Sequence, residues 1–291
     1  IKLPIIVLTA GTDSFEQIVN YGLEPGIPNM CSLKILCDVL EKRGVTDFPV
    51  HIKMDTGMHR LGFMTDELPE LLDFLASCRS VKVKSVYSHL AAADDPDCDD
   101  FTLGQIRLFK ENADRLADAL GYKPLYHILN SAGIERLPNN HFDMVRLGLG
   151  LYGINPVNNA VLDNVTTLKT TILQIRHIAK GETVGYSRKG ILDRDSKIAA
   201  LPIGYADGLN RRLGNRNAYC LVNGQKAYYV GNICMDVCMI DITDIECSEG
   251  DSVEIFGPSL PVTVLSDILG TIPYEILSTI STRVKRIYYK E

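Results

Sequence analysis

The chain has 291 residues, 46% of them hydrophobic, and a net charge of −6. That is enough for a sizeable core and for two domains. It offers no field to nucleic acid or anionic lipid, and no apolar run reaches the roughly 18 residues that span a membrane.

The opening IKLPIIVLTA has too short an apolar run, and no cleavage site, for a signal peptide. It reads as a strand that begins in mid-fold. PIIVLTA is therefore the first strand, and SFEQIVNYG a helix with Ser14 as a cap. VHIKMD then precedes ELPELLDFLASC, and VKVKSVYSHL precedes GQIRLFKENADRLADALG. LYHILN leads to SAGIERL, and FDMVRLGLGLYG closes the series. Apolar strands alternating with helices predict parallel βα units. A closed barrel and an open sheet both fit that pattern, but no GxGxxG fingerprint favours the open sheet. Polar groups cluster past the strand ends, at 53–60, 89–94, 130–131 and 146–148. In a barrel one rim collects them. About six units are visible where a closed barrel needs about eight.

From residue 167 the character changes. TTILQIRHIAKGETVGY, KIAALPIGYADG, AYCLVNGQKAYYVGNICMDVCMIDIT, DSVEIFG and RVKRIYY read as short strands punctuated by Gly, Asn and Asp. The fold expected is α/β: a partial TIM-type (β/α) barrel over 1–166, then an all-β domain over 167–291. The eight cysteines, at 31, 37, 78, 98, 220, 234, 238 and 247, form no CxxC pair and have no clustered histidines. They read as buried reduced thiols of a cytosolic protein, with no metal site.

HIKMDTGMHRLGF (51–63) is the most distinctive stretch. Taken alone it is a tight turn that positions Arg60, and an ordinary surface ion pair explains the arginine equally well. The stretch is similar to a signature of the alanine racemases. Five more blocks follow in that family's order: SHLAAAD (88–94), NSAGIERLPNNHFDMVRLGLGLYG (130–153), VGYSRKG (184–190), ALPIGYADGLNRR (200–212) and VGNICMDVCMIDIT (230–243). PYEILSTISTRVKRIY (273–288) completes the resemblance.

The resemblance implies a barrel that carries pyridoxal 5′-phosphate (PLP), followed by a β domain, in a cytoplasmic head-to-tail homodimer with shared active sites. It implies interconversion of L- and D-alanine for peptidoglycan, through a PLP imine and two bases on opposite faces. One base would be a lysine and the other a tyrosine, which Tyr186 matches. A phenol is a poor base near neutrality and needs support; His89 and Arg60 match the residues that supply it. Arg146 matches an arginine facing the pyridine nitrogen, and Asn130, Ser131, Gly148, Leu149 and Tyr274 match the phosphate cradle. Arg60 and the backbone of Met235 match substrate-carboxylate contacts, and Tyr205, Asp207, Arg211 and Asp94 match the substrate entrance. Lys53 matches a lysine carbamylated in several members; a carbamate requires a neutral amine. Asn232 stands where many members have an arginine, so no entrance role carries over to it.

Each residue also has a plainer reading. Tyr186 and His89 fit as core residues, Arg146 as a rim ion pair, Ser131 as a helix cap and Met235 as core packing. The family's PLP lysine has no counterpart, since Lys2 and Lys34 lie in the wrong elements. About two βα units are therefore expected ahead of this stretch. These 291 residues alone are expected to fold poorly and not to racemise alanine. A non-catalytic fragment or assembly module, and a PLP racemase of another amino acid such as serine, stay open as alternatives.

Overall fold

The computed structural model describes residues 2–289. They form two compact units: 2–150 with 155–158, and 151–154 with 159–289. The sequence reading put the change at 166/167. Residues 151–166 carry no βα unit by which to judge it: they form a short 3-10 turn, Leu149–Tyr152, and one isolated bridge, Ile154 to Val161.

In the first unit five strands lie side by side in chain order: β1 (Ile6–Val7), β2 (Glu24–Ile27), β3 (Phe48–Lys53), β4 (Val81–Tyr87) and β5 (Leu125–His127). Every neighbouring pair is parallel. Five helices return the chain: α1 (Phe15–Asn20), α2 (Met30–Lys42), α3 (Leu68–Ser77), α4 (Asp99–Leu120) and α5 (Ser131–Arg136). Strands added in one direction, without a reversal of order, make the arc of a (β/α) barrel rather than a doubly wound sheet. Its core joins the strand residues Ile27, Val50, Ile52 and Val86 to the helix residues Leu36, Leu71 and Phe109.

The sequence reading overlooked β2 and α2. Pro25 and Gly26 break the usual strand pattern. Gly26 is there for space: a Cβ would come within 2.3 Å of the Tyr87 hydroxyl, which donates to the Leu8 carbonyl. FDMVRLGLGLYG, expected as a strand, forms none. It runs beside β5 through Asp143 N–H to Tyr126 O and Arg146 N–H to Leu129 O. The arc therefore has five strands where about six units were counted. Ser14 sits at the start of α1 but its side chain makes no capping bond.

The second unit is sheet-rich. Its strands are β6 (Leu168–Thr171), β7 (Gln174–Ile178), β8 (Thr183–Val184), β9 (Gly190–Ile191), β10 (Ser196–Leu201), β11 (Tyr219–Val222), β12 (Gln225–Tyr228), β13 (Cys238–Asp241) and β14 (Ser252–Phe256). They make antiparallel sheets in the orders β13-β10-β7, β12-β11-β14-β6 and β8-β9. The expectation of an all-β domain needs correcting. Helices α6 (Val262–Leu269) and α7 (Pro273–Thr279) pack Leu265, Leu269 and Ile276 onto the sheets. The β-branched Val-Thr-Val opening of α6 disguises a helical spacing that Gly270 ends in a left-handed cap. RVKRIYY is likewise no strand; Tyr288 and Tyr289 are exposed. Of the eight cysteines only Cys37, Cys220 and Cys238 are buried. No helix among the described residues is long and apolar enough to cross a membrane.

Candidate functional site

The C-terminal ends of β3, β4 and β5 carry the first cluster. Lys53 ends β3 and is buried. Its ammonium lies 5.9 Å from the centre of the Tyr87 ring. Burial first, and then the charges of Arg60 and Arg146, hold it below the ordinary lysine range. Arg60 is exposed, in a loop held by Asp55, whose Oδ1 accepts from the N–H groups of Gly57 and His59.

Arg146 is the centre of this end. One terminal nitrogen donates to His127 Nδ1 at 2.6 Å and to the His127 carbonyl at 3.2 Å. The other donates to the carbonyls of Ser88 (2.5 Å) and Ile128 (3.0 Å) and to His89 Nδ1 (3.3 Å). The guanidinium also lies 5.5 Å from the centre of the Tyr87 ring, which stacks on His127. All these partners are neutral, and no carboxylate among the described residues balances the cation. Its Nε–H makes no hydrogen bond among the described residues. The guanidinium bonded to His89 is thus that of Arg146. Arg60, expected in that place, acts on His89 through its charge.

Burial pushes His89 down to about 4, helped by the cations Arg146, Arg60 and Lys53. Burial and Arg146 push the fully buried His127 down to about 3. A guanidinium has no acceptor, so both Nδ1 atoms must accept and both rings carry their proton on Nε2. A stability prediction follows. Below about 6.5 the unfolded chain protonates these rings while the fold refuses the proton. Stability therefore falls as pH drops from about 6.5 towards 4 for His89 and towards 3 for His127, at up to about 1.4 kcal/mol per pH unit for His127. Below those values both states bind the proton and the dependence ends. Urea titrations across this range check it: a His89→Gln variant should show a shallower slope, and an unchanged slope would contradict a neutral, half-buried His89.

Next to this centre, Asn130 caps α5 by accepting from Gly133 N–H. Ser131 Oγ accepts from Gly148 N–H at 2.8 Å, and Leu149 is buried beside it in sequence. Hydroxyl and backbone N–H groups gathered in this way suit a phosphate. Asp94 is exposed in the loop after β4.

The second cluster lies within the sheet-rich unit. Tyr186 is 70% exposed, on a turn where Gly185 (φ 78), Ser187 (φ 57) and Arg188 (φ 51) are all left-handed. Only glycine takes such angles freely, so Ser187 and Arg188 store strain there, of order 1–3 kcal/mol each. Asn232 holds the turn: its Nδ2 donates to the Tyr186 carbonyl at 3.1 Å, and its Oδ1 accepts from Asn215.

Two loops are fastened together nearby. Tyr205 and Ala206 N–H donate to the carbonyls of Cys234 and Met235. Asp207 accepts from Gly204 N–H through Oδ2 and from Arg283 Nε through Oδ1, at 2.7 Å. Arg283 also donates to Asp236 Oδ1 at 2.7 Å, bridging the loops. The side chains of Tyr205 and Met235 remain exposed. Tyr205 and Arg211 line a mostly apolar cavity of about 290 Å³ together with Leu209, Leu265 and Ile276. Tyr274, in the first turn of α7, packs edge-on to Tyr152 at 6.2 Å.

Sequence reasoning missed Arg283, Asn232 as an anchor, and the buried His51, Ser85 and His127. Single polar residues inside apolar strands were the available signal for the last three.

Comparison with known proteins follows the same division. The family described as "Alanine racemase, N-terminal domain" matches residues 1–156, and "Alanine racemase, C-terminal domain" matches 165–288. An alanine racemase of Sorangium cellulosum is 38% identical, over 99% of this chain and 79% of that protein. One of Clostridium kluyveri is 35% identical, over 100% of this chain and 76% of that protein. Among solved structures, alanine racemase of Clostridium difficile 630 superposes with a TM-score of 0.91 at 31% identity, covering 99% of this chain and 77% of that one. The Bartonella henselae alanine racemase, described with covalently bound pyridoxal phosphate, gives 0.84 at 32% identity, covering 99% and 79%. Both units match, and relatives above 30% identity are covered over three quarters of their length, so this chain belongs to the alanine racemase family.

Proposed function

We propose that this chain interconverts L- and D-alanine with PLP, supplying D-alanine for peptidoglycan in a bacterial cytoplasm. The observation that carries the reading is Arg146. Its cation is held by neutral partners only, and its Nε–H has none among the described residues. That is a donor for a neutral ring nitrogen and an unfit neighbour for a protonated one. PLP, when bound, supplies delocalisation for the electron pair left as the α-proton departs.

The residues of this chain supply the phosphate and carboxylate contacts and one of the two bases. Asn130, Ser131, Gly148, Leu149 and Tyr274 hold the phosphate. Arg60 and the Met235 backbone N–H hold the substrate carboxylate. Tyr186 moves the proton on one face of the α-carbon, with the Nε2–H of His89 as donor to its oxygen. Tyr205, Asp207, Arg211 and Asp94 restrict entry to small amino acids. Lys53, buried beside two guanidinium charges that favour its neutral amine, takes a carbamate whose anion pairs with Arg60. The working form is a homodimer in which one subunit's half-barrel faces its partner's Tyr186.

The test is exchange of the alanine α-hydrogen in deuterated water by the whole gene product supplied with PLP. Both enantiomers should exchange and racemise. Loss of the α-hydrogen from neither would overturn the reading.

A further inference from the structure

Arg146 does not stop at His127. His127 Nε2 lies 2.9 Å from Ser85 Oγ, Ser85 Oγ 2.6 Å from His51 Nδ1, and His51 Nε2 2.8 Å from Glu24 Oε2. The line crosses β5, β4, β3 and β2. It climbs from the first residue of β2 to the last residue of β5, in keeping with the stagger of barrel strands. Register makes it possible: His51 sits opposite Ser85, and His127 opposite Tyr87. His51, Ser85 and His127 are all buried.

The direction of every bond follows from one end. Arginine only donates, so His127 Nδ1 accepts and its single proton sits on Nε2. That proton goes to Ser85 Oγ. The serine has one hydrogen, and His51 Nδ1 is the one acceptor left for it among the described residues. The His51 proton is then on Nε2 and points at the Glu24 carboxylate. A cationic His51 would make the serine accept from both rings and leave its buried hydrogen with no acceptor among the described residues, and a serine donating to His127 would leave no proton on His127 at all. Arg146 thus keeps His51 neutral although a carboxylate lies at 2.8 Å.

We propose that Glu24, His51 and Ser85 are positioning residues for Arg146: they form a one-way hydrogen-bonded line that holds His127 in the tautomer Arg146 requires and fixes the rotation of the guanidinium, leaving its Nε–H without a partner among the described residues. The tautomers stand on geometry alone, whereas the effect on racemisation rests on the function proposed above. Around His51, burial opposes the cation and outweighs Glu24, which favours it, and Lys84 adds to the opposition, so the ring is held below the ordinary histidine range. Around His127, burial, Arg146 and His51 all oppose it.

Two measurements on the whole gene product separate the claims. In the protein labelled with ¹⁵N at histidine, long-range ¹⁵N–¹H spectra at neutral pH should show His51 and His127 neutral with the proton on Nε2. A cationic His51, or a proton on His127 Nδ1, overturns the line whatever the enzyme does. In Ser85→Ala the line is cut, so His51 should become protonatable beside Glu24 and its titration midpoint should rise. kcat should fall about ten- to a hundredfold from misplacement of Arg146, with KM for alanine little changed. Glu24→Gln keeps an acceptor, so kcat should stay near the parent, while loss of the carboxylate charge should lower the His51 midpoint rather than raise it. An unchanged kcat and pH profile in Ser85→Ala overturns the positioning role. Intact tautomers in a protein inert towards alanine would overturn the racemase reading instead.

Discussion

Arg146→Ala is expected to destabilise the half-barrel by about 3–5 kcal/mol and to abolish measurable racemisation. The carbonyls of Ser88 and Ile128 and the Nδ1 of His127 each lose a donor, and each buried unsatisfied acceptor costs about 1–3 kcal/mol. Partial relaxation keeps the total below the sum. A second effect separates this variant from a simple packing defect. Arg146 is, after burial, the first cause holding both His89 and His127 down. Without it both rings become easier to protonate, so the acid-side loss of stability should shrink. Denaturant titrations at several pH values read both effects together. Arg146→Lys keeps the charge but lacks the fork that reaches two imidazoles and three carbonyls. It should fold nearly as well as the parent and still lose most of kcat. A stable, active Arg146→Lys would show that only charge is needed at this place.

The parallel arc was legible because β3, β4 and β5 are apolar runs ending in polar groups, with helices between them. β2 was not. Its Pro25 and Gly26 are strand breakers by local preference, and the reason for Gly26 is a tyrosine hydroxyl from β4, far along the chain. Tertiary packing overrode propensity there. In the second unit the same failure had the opposite sign. Val262, Val264 and Ile268 favour a strand locally, yet α6 forms because Leu265 and Leu269 must cover the sheets.

Site residues divide in a similar way. Blocks of adjacent residues such as SHLAAAD and VGYSRKG are visible as strings and carry the resemblance. Contacts between blocks are not. No local pattern says that Arg283 reaches Asp207 and Asp236, 76 and 47 residues away. Nor does any pattern say that His51, Ser85 and His127 align across three strands. One polar residue within an apolar strand is the trace they leave, and an ordinary satisfied core group leaves the same trace. Strand register turns three such traces into one line.

Tyr186→Phe should lower kcat by about a hundred- to ten-thousandfold, the usual worth of a positioned general base, with no loss of stability. The substitution removes one oxygen from a ring that is 70% exposed, and the Asn232 bond goes to the backbone, which is unchanged. Stability should therefore stay within about 0.5 kcal/mol. Tyr205→Phe, at another exposed tyrosine of the same unit, should alter KM more than kcat and serves as the control. Near-parent racemisation by Tyr186→Phe would remove the phenol from the mechanism. A mixture then decides where that phenol acts. In a homodimer with shared sites, Tyr186→Phe subunits bring intact half-barrels and Arg146→Lys subunits bring intact tyrosines. Refolding equal amounts together should restore about a quarter of the sites, since half the dimers are mixed and each has one complete site. Sites formed within single chains would regain nothing, because every chain in the mixture carries a defect of its own.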